Sequence, residues 1–302
     1  MSVVINTNVD SLKIQSILNS ATNKMSSSMQ KMSSGLKINS AKDDAAGTVI
    51  SAKMNVQLNG NKIAQNNVQN ANALLSTTEG NLDVIEDNVL RIRDLTLQAK
   101  NGTYSEEELT AMQDEIDERV KEITRINDSA KYSSLKLFGD EENLAKNGAT
   151  FQVGSNAGKE NTIEADKSLF AKVTFSAMTG IGSTKFDLKA LKAGNSNIAS
   201  DKIKNAGTGD TEFDTAIRAL DAAVDDITNR KSKIGSAGNR MDSALATLET
   251  QYENLSSAKS IITDADIASE ASNFTQQQIL QQVSTSLLAQ ANQAPAIALS
   301  LV

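Results

Sequence analysis

Few of the side chains that perform chemistry in enzymes occur in this chain of 302 residues. It has no His and no Cys, which excludes thiolate and Ser–His nucleophiles and the usual zinc sites. Oxygen ligands for Mg²⁺ or Ca²⁺ remain, because carboxylates cluster at 43–44, 114–118 and 225–226. Acidic runs on helices are more often caps or solvated faces than metal sites. We therefore predict that the protein is not an enzyme and has no catalytic residue, no cofactor and no metal ligand.

The charge balance argues against nucleic acids as partners. The chain has 37 acidic and 30 basic residues, a net charge of −7 and only 3% aromatic residues. It therefore lacks the basic surface and the stacking platforms that nucleic acids require. No run approaches the roughly 18 apolar residues of a membrane span, and the first residues lack the pattern of a secretory signal. These residues alone predict a cytosolic protein with no membrane partner.

Two long segments place seam residues at alternating steps of three and four, the spacing of coiled coils. The first seam consists of Ala64, Val68, Ala71, Leu75, Thr78, Leu82, Ile85, Val89, Ile92, Thr96 and Ala99. The second consists of Ile217, Leu220, Val224, Ile227, Lys231, Ile234, Gly238, Met241, Leu245, Leu248, Tyr252, Leu255, Lys259 and Ile262. Lys231, Gly238 and Lys259 are its weak positions. The pattern predicts two long helices that pair through these seams.

A shorter helix and a β region are predicted between the two seams. Ser105 and Glu108 can form a capping box at the start of that helix. The helical period ends near Tyr132, where short β-type runs begin. These runs lie at 151–153, 161–163 and 172–175, with a hairpin loop at 155–158.

Both ends of the chain have the pattern of assembly helices. The N-terminal apolar positions are Ile14, Leu18, Ala21, Met25, Met29, Met32 and Leu36, an 11-residue repeat that predicts a straight helix. Residues 271–302 contain no charged side chain. Such a surface suits burial against other protein better than exposure to water, because an unpaired buried charge is costly. A flexible low-complexity tail is the alternative.

Together these elements predict a mainly α chain: a long antiparallel coiled-coil helical rod folded back on itself, with a small β-hairpin insertion at the outer end. We predict inner-core terminal helices at 1–44 with 260–302, a rod domain at 45–175 with 208–259, and a variable insertion at 176–207. Head-to-tail packing of such chains gives open helical polymers. The predicted self-assembly residues are Leu18, Met25, Met32, Leu36, Leu280, Val283, Leu287, Ala294 and Leu301.

Segments 4–8 and 33–47 near the N-terminus, and 265–282 and 288–293 near the C-terminus, have a distinctive sequence. They closely resemble the two ends of bacterial flagellin, and 151–154 resembles the first hairpin of that family. The resemblance implies a subunit of the flagellar filament that leaves the cell by the flagellar type III route and supports swimming. It replaces the cytosolic expectation with a secreted, extracellular one. It also implies three kinds of partner besides copies of the chain: a flagellar chaperone on the C-terminal helix, the filament cap, and hook-associated proteins.

A further implication of the resemblance is recognition of the free monomer by the vertebrate Toll-like receptor for flagellin. The matching segments are 90–98 and 113–115, and the implied contacts are Arg91, Leu95 and Glu115. Two other functions stay open from the residues: a hook–filament junction protein of similar terminal design, and a secreted coiled-coil adhesin or effector. The adhesin or effector would be a stable monomer with ordered ends.

Overall fold

A computed structural model describes residues 7–139, 143–173, 175, 188 and 212–299, without the side chains of 143 and 294–299. Two predicted assembly positions, Leu301 and the side chain of Ala294, lie outside this description, as does almost all of 176–207. The helices are α1 Val9–Ser34, α2 Ala45–Ala99, α3 Glu106–Ser129, α4 Asn143–Asn147, α5 Glu212–Thr263 and α6 Ile267–Leu299. The strands are β1 Lys131–Tyr132, β2 Leu135–Lys136, β3 Ala149–Gln152 and β4 Thr162–Ala165. The fold is therefore mainly α, with long helices and small β-hairpins, as predicted.

The chain forms two compact units. The terminal unit comprises Met1–Asn59 and Gln251–Val302, and the central unit comprises Gly60–Thr250. The domain boundaries drawn from the sequence stay a prediction.

The terminal unit is built on an antiparallel pair, α1 and α6. Near one end of the pair, Asn8 Nδ2 donates to the carbonyl oxygen of Ala291 at 2.8 Å. Near the other end, Lys31 Nζ lies 3.4 Å from Glu270 Oε1. As the residue number rises along one helix, its partner's number falls along the other, which fixes the antiparallel direction.

The seam between α1 and α6 differs from the predicted 11-residue repeat. Met29 is 51% exposed, whereas Ser28 is 7% exposed. The inward positions of α1 are Ser11, Ile14, Leu18, Ala21, Met25, Ser28 and Met32, a heptad spacing. The repeat was wrong because Ser28 Oγ donates to Glu270 Oε2 at 2.9 Å, so a polar residue occupies a position where hydropathy favours Met29.

Two backbone hydrogen bonds join the linkers that follow α1 and α5. Lys37 N donates to Thr263 O at 2.7 Å, and Ala265 N donates to Gly35 O at 2.9 Å. Gly35 can end α1 here because its φ of 71° lies in the left-handed region, which glycine adopts without steric cost. These bonds therefore hold the C-terminal end of α1 next to the linker from which α6 begins.

In the central unit, α2 and α5 are antiparallel, with polar pairs at a constant register. Asn72 bonds to Asp242, Lys231 to Asp83 and Glu86, Arg93 to Asp221, and Lys100 to Asp214. Each step up α2 is matched by an equal step down α5. This agrees with the predicted pairing of the two heptad helices.

Every predicted seam position of α2, from Ala64 to Ala99, is buried. On α5 only one row of the predicted seam is buried: Leu220, Ile227, Ile234, Met241 and Leu248. The second row was placed one residue too late. The buried residues of that row are Ala216, Ala223, Arg230 and Ala237, and the predicted Ile217, Val224, Lys231 and Gly238 are half-buried beside them.

Lys231 is therefore not a defect in the core. Its Nζ lies 2.6 Å from Asp83 Oδ1 and 2.8 Å from Glu86 Oε2 on α2. Hydrogen bonds from Lys231 to Asp83 and Glu86 raise the pKa of the ammonium group. Lys231, at the edge of the seam, thus helps to fix the register of α2 and α5.

The third helix, α3, begins with the predicted capping box. Glu108 N donates to Ser105 Oγ at 3.3 Å, and Ser105 N donates to Glu108 Oε2 at 2.7 Å. The hydrogen bonds that Ser105 N and Ser105 Oγ donate to the Glu108 carboxylate lower its pKa. Leu109, Ile116, Ile123 and Ile126 are buried in the main core cluster with residues from the C-terminal half of α2, so α3 packs against that half.

The β3–β4 hairpin lies alongside the helices. Its strands are antiparallel, with Phe151 opposite Ile163, and Ile163 packs in a cluster with Ala64 and Val68 of α2. A Cβ on Gly60 would lie 2.7 Å from Ser155 Cβ, so the hairpin loop reaches as far as Gly60. The predicted insertion thus packs along α2.

The segment after β4 is held by side chains of the helices. Val173 N donates to Asn127 Oδ1 at 2.9 Å, and Arg230 Nη1 donates to Ala171 O at 2.9 Å. A third predicted β-type run falls here, but the described residues at 172, 173 and 175 are not in a strand. Burial of Val173 and Phe175 explains the apolar pattern that suggested one.

Candidate assembly surface

The contact between α1 and α6 combines apolar residues with several polar ones. Besides the Ser28–Glu270 bond, Gln281 Nε2 donates to Thr22 Oγ1 at 3.2 Å. The inward positions of α6 are Glu270, Phe274, Gln277, Gln281, Ser284, Leu288 and Ala291. Side-chain hydrogen bonds therefore add to the apolar contacts between the two helices.

The outer surface of the same hairpin is apolar. Leu280, Val283 and Leu287 are 40%, 48% and 45% exposed, and their spacing of three and four puts them on one face of α6. Other large apolar side chains exposed on the two helices are Val9, Leu12, Ile17, Met29, Ile267 and Ile279. The hairpin thus leaves many large apolar side chains exposed, while α6 has several polar residues on its inward face.

This arrangement has a definite energetic consequence. Burying apolar surface is worth about 25 cal/mol per Å², so an outer apolar face gains by contact with another protein surface. Charged side chains do not oppose such contact on α6 beyond Glu270, because 271–302 has none. Uncharged Gln, Ser, Thr and Asn on the same surface can form hydrogen bonds across an interface.

The predicted assembly residues fall into two groups. Leu18, Met25 and Met32 are half-buried on the inward face of α1, where they build the hairpin itself. Leu280, Val283 and Leu287 point outward, and Leu36 in the linker is also exposed. The sequence prediction did not select Val9, Leu12 and Ile17, although their spacing away from the α1 seam could have identified them.

A second surface feature links α2 and α3. Arg91 Nε lies 2.9 Å from Glu115 Oε1, and Arg91 Nη2 donates to Glu115 Oε2 at 3.2 Å. Arg119 Nε lies 3.1 Å from Glu115 Oε1. The hydrogen bond from Arg91 is the main cause that lowers the pKa of Glu115. The structure thus brings two of the predicted receptor residues together on a partly exposed surface.

Leu95, the third predicted receptor residue, is not on that surface. It is 2% exposed and belongs to the main core cluster, so its side chain cannot contact a partner directly. Position 95 follows Ile92 by three residues, and this spacing could have indicated burial. Leu90 and Leu97 are the exposed leucines nearby.

The acidic runs have local structural roles. Asp43 accepts hydrogen bonds from Ser40 N and Asn39 N, which lower its pKa, and Asp44 Oδ1 accepts one from Gly47 N at the start of α2. Among the residues described, no group of three or more acidic side chains is arranged to hold a metal ion. In the same part of the chain, no helix combines the length and the apolar character that crossing a membrane requires.

The helical segments at both ends of the chain match known protein families. Residues 5–143 match the bacterial flagellin N-terminal helical region, and residues 217–302 match the bacterial flagellin C-terminal helical region. These matches include α1, α2 and α3 on one side and α6 with most of α5 on the other.

Individual relatives match over the full length. A flagellin of Halalkalibacterium halodurans is 34% identical over 300 residues, covering 99% of this chain and 100% of the relative. A flagellar filament 30.7 kDa core protein of Treponema maltophilum is 32% identical over 299 residues, covering 96% of each chain. A solved structure from Vibrio parahaemolyticus, described as flagellar hook-associated, superposes with a TM-score of 0.53 at 17% identity. It covers 73% of this chain and 99% of that one, and shows likeness of fold alone.

Proposed function

Because this chain belongs to the bacterial flagellin family, we propose that it polymerises into a flagellar filament through the outer apolar face of its α1–α6 hairpin. The observation that supports this most is the exposed apolar face of α6. Leu280, Val283 and Leu287 lie on this face and are exposed in the single chain. Copies of the same chain are the natural cover for such a face, because a head-to-tail contact that does not close produces a filament.

The remaining proposals follow from family membership. We propose export through the flagellar type III route, an extracellular location in the filament and a role in swimming motility. A flagellar chaperone would cover the exposed face of α6 before export and so prevent early polymerisation. The filament cap and hook-associated proteins would be the other partners.

Assembly can be tested directly on the purified chain. We expect the whole chain to form filaments when seeded in a solution with a kosmotropic salt, which strengthens apolar burial. A chain that lacks 271–302 should not elongate the seeds. Negative-stain electron microscopy distinguishes the outcomes, and a whole chain that stays monomeric with seeds would contradict the proposal. Short assemblies that stop growing would favour a hook–filament junction protein.

We also propose that the free monomer is sensed by the flagellin-recognising Toll-like receptor at the surface formed by Arg91 and Glu115. The supporting observation is their two-bond ion pair between α2 and α3, with both side chains at least one-third exposed. Leu95 would contribute only indirectly, because its packing in the main core cluster fixes the position of α2. A receptor would recognise this pair only where copies of the chain do not cover it.

Single substitutions in monomeric protein test this second proposal. Arg91→Ala and Glu115→Ala should each raise the concentration for half-maximal receptor signalling about tenfold or more, as expected for loss of a charged hydrogen bond. Arg125→Ala is the matched control, because Arg125 forms a similar ion pair with Glu122 on the outer part of α3. Equal responses from all three variants would remove the Arg91–Glu115 surface from consideration.

A further inference from the structure

Three Asn-Gly dipeptides occur in the described residues, at 59–60, 101–102 and 147–148. In such a dipeptide, glycine lacks a side chain that would shield its amide nitrogen from the preceding Asn. That nitrogen can attack the side-chain amide of the Asn when two conditions hold. It must be free of other hydrogen bonds, and the backbone must have room to move.

Asn101-Gly102 meets both conditions. It lies in the turn between Ala99, where α2 ends, and Glu106, where α3 begins, and both residues are exposed. Among the described residues, the Gly102 amide donates no backbone hydrogen bond, although Asn101 N itself donates to Gln98 O at 3.0 Å. A Cβ built on Gly102 would meet no atom within 4 Å, so the turn has free space around it.

The other two dipeptides are protected by the fold. Gly60 lies inside α2, so its amide belongs to the hydrogen-bond ladder of the helix, and Ser155 packs against it. Gly148 N donates to Leu144 O at 2.9 Å. A Cβ on Gly148 would lie 2.4 Å from Ala165 O, so this backbone is closely confined as well.

We propose that Asn101 is a site of spontaneous deamidation in the folded protein. The Gly102 nitrogen bonds to the Asn101 Cγ atom and loses its proton to water, while the Cγ–Nδ2 bond breaks and ammonia takes up a proton as it leaves. The resulting five-membered succinimide ring adds one water molecule at either carbonyl. Opening of the ring then gives Asp or isoaspartate at position 101, with no oxidant or reductant involved.

The change places a new negative charge where the local electrostatics disfavour it. Position 101 lies just past the C-terminus of α2, the negative end of the helix dipole. The preceding residue, Lys100, is paired with Asp214 of α5. Isoaspartate also lengthens the backbone of the turn by one carbon. The modification therefore changes the charge and the backbone next to the Lys100–Asp214 pair.

Peptide mapping of the whole folded chain tests the site against its own internal controls. After incubation at mildly alkaline pH, mass spectrometry should show the replacement of an amide by an acid at Asn101 about tenfold or more faster than at Asn59 or Asn147, because those require local opening. Labelling by an isoaspartyl methyltransferase should appear in the same peptide. In urea all three positions should react at similar rates.

A variant separates the chemistry from simple exposure. Gly102→Ala fits the turn, since no atom would contact the new Cβ and the φ of Gly102 is not positive. It should fold normally and lose most of the modification at Asn101. Equal rates at the three positions in the folded chain would overturn the proposal, as would unchanged modification in the Gly102→Ala variant.

Discussion

Replacing Leu280, Val283 and Leu287 together by Asn will abolish filament growth at concentrations where the unaltered chain polymerises, while the monomer stays folded. These side chains are roughly half exposed on α6, so little apolar contact is lost in the single chain. In a polymer they would be covered, and full burial of a Leu or Val is worth about 1.5–3 kcal/mol. About half of each side chain is still available for burial in the polymer, and each Asn would add the cost of burying an unpaired amide. Together, the three substitutions should weaken the association free energy by about 4 kcal/mol or more per subunit. This corresponds to a critical concentration raised about a thousandfold or more.

The measurement is sedimentation of polymer from seeded solutions over a range of protein concentrations, with far-UV circular dichroism of the monomer beside it. A double variant, Leu280→Met with Leu287→Met, is the matched control because it keeps the apolar character and volume of the face. It should polymerise close to normally. If the Asn variant sediments like the unaltered chain, the outer face of α6 is not the assembly surface.

The α2 helix could be predicted from the sequence almost residue by residue, and the reason is physical. Its seam faces the core in the central unit, where α3 and α5 also contribute buried residues. Apolar residues or Thr therefore occupy all seam positions from Ala64 to Ala99. Because this seam is regular along its whole length, the sequence clearly indicates which side of α2 is buried.

The second row of the α5 seam was misplaced because two apolar rows lie side by side on that helix. Ala216 and Ala223 are followed directly by Ile217 and Val224, and hydropathy favours the larger pair. The structure buries the alanines completely. Small side chains permit a close approach of helices, and sequence spacing alone cannot show which row a neighbour approaches.

Composition predicts where the proposed assembly surface lies, but not which face of the helix it uses. The lack of charge in 271–302 indicates α6 as an interface helix, which stays a prediction. Its inward face, however, carries Gln277, Gln281 and Ser284, which a hydropathy pattern assigns to solvent. Gln281 faces α1 and bonds to Thr22, and the neighbouring Leu280 lies on the exposed side of α6.

The largest loss of stability in the central unit is expected from Phe170→Ala. Phe170 has no exposed surface and belongs to the main core cluster, and its carbonyl oxygen accepts a hydrogen bond from Gly139 N at 3.3 Å. Truncating a buried Phe to Ala typically costs about 3–5 kcal/mol, through lost apolar burial and the cavity that remains. Small domains have about 5–15 kcal/mol in total, so a large fraction of the stability should disappear.

Phe170 matters beyond its own volume because it ends the short 3-10 helix at 167–170. This helix joins β4 to the segment at 171–173, which Arg230 and Asn127 hold by hydrogen bonds. A cavity there would loosen the packing of that segment on the main core cluster of the central unit. The α1 and α6 helices belong to the terminal unit and should not be affected. Urea unfolding should show a lower midpoint with an unchanged slope, and amide exchange should quicken in α3 but not in α6. Leu135→Ala is the control, because this exposed leucine should cost under about 1 kcal/mol. Equal midpoints for the two variants would mean that the cluster around Phe170 does not hold the β insertion to the helices.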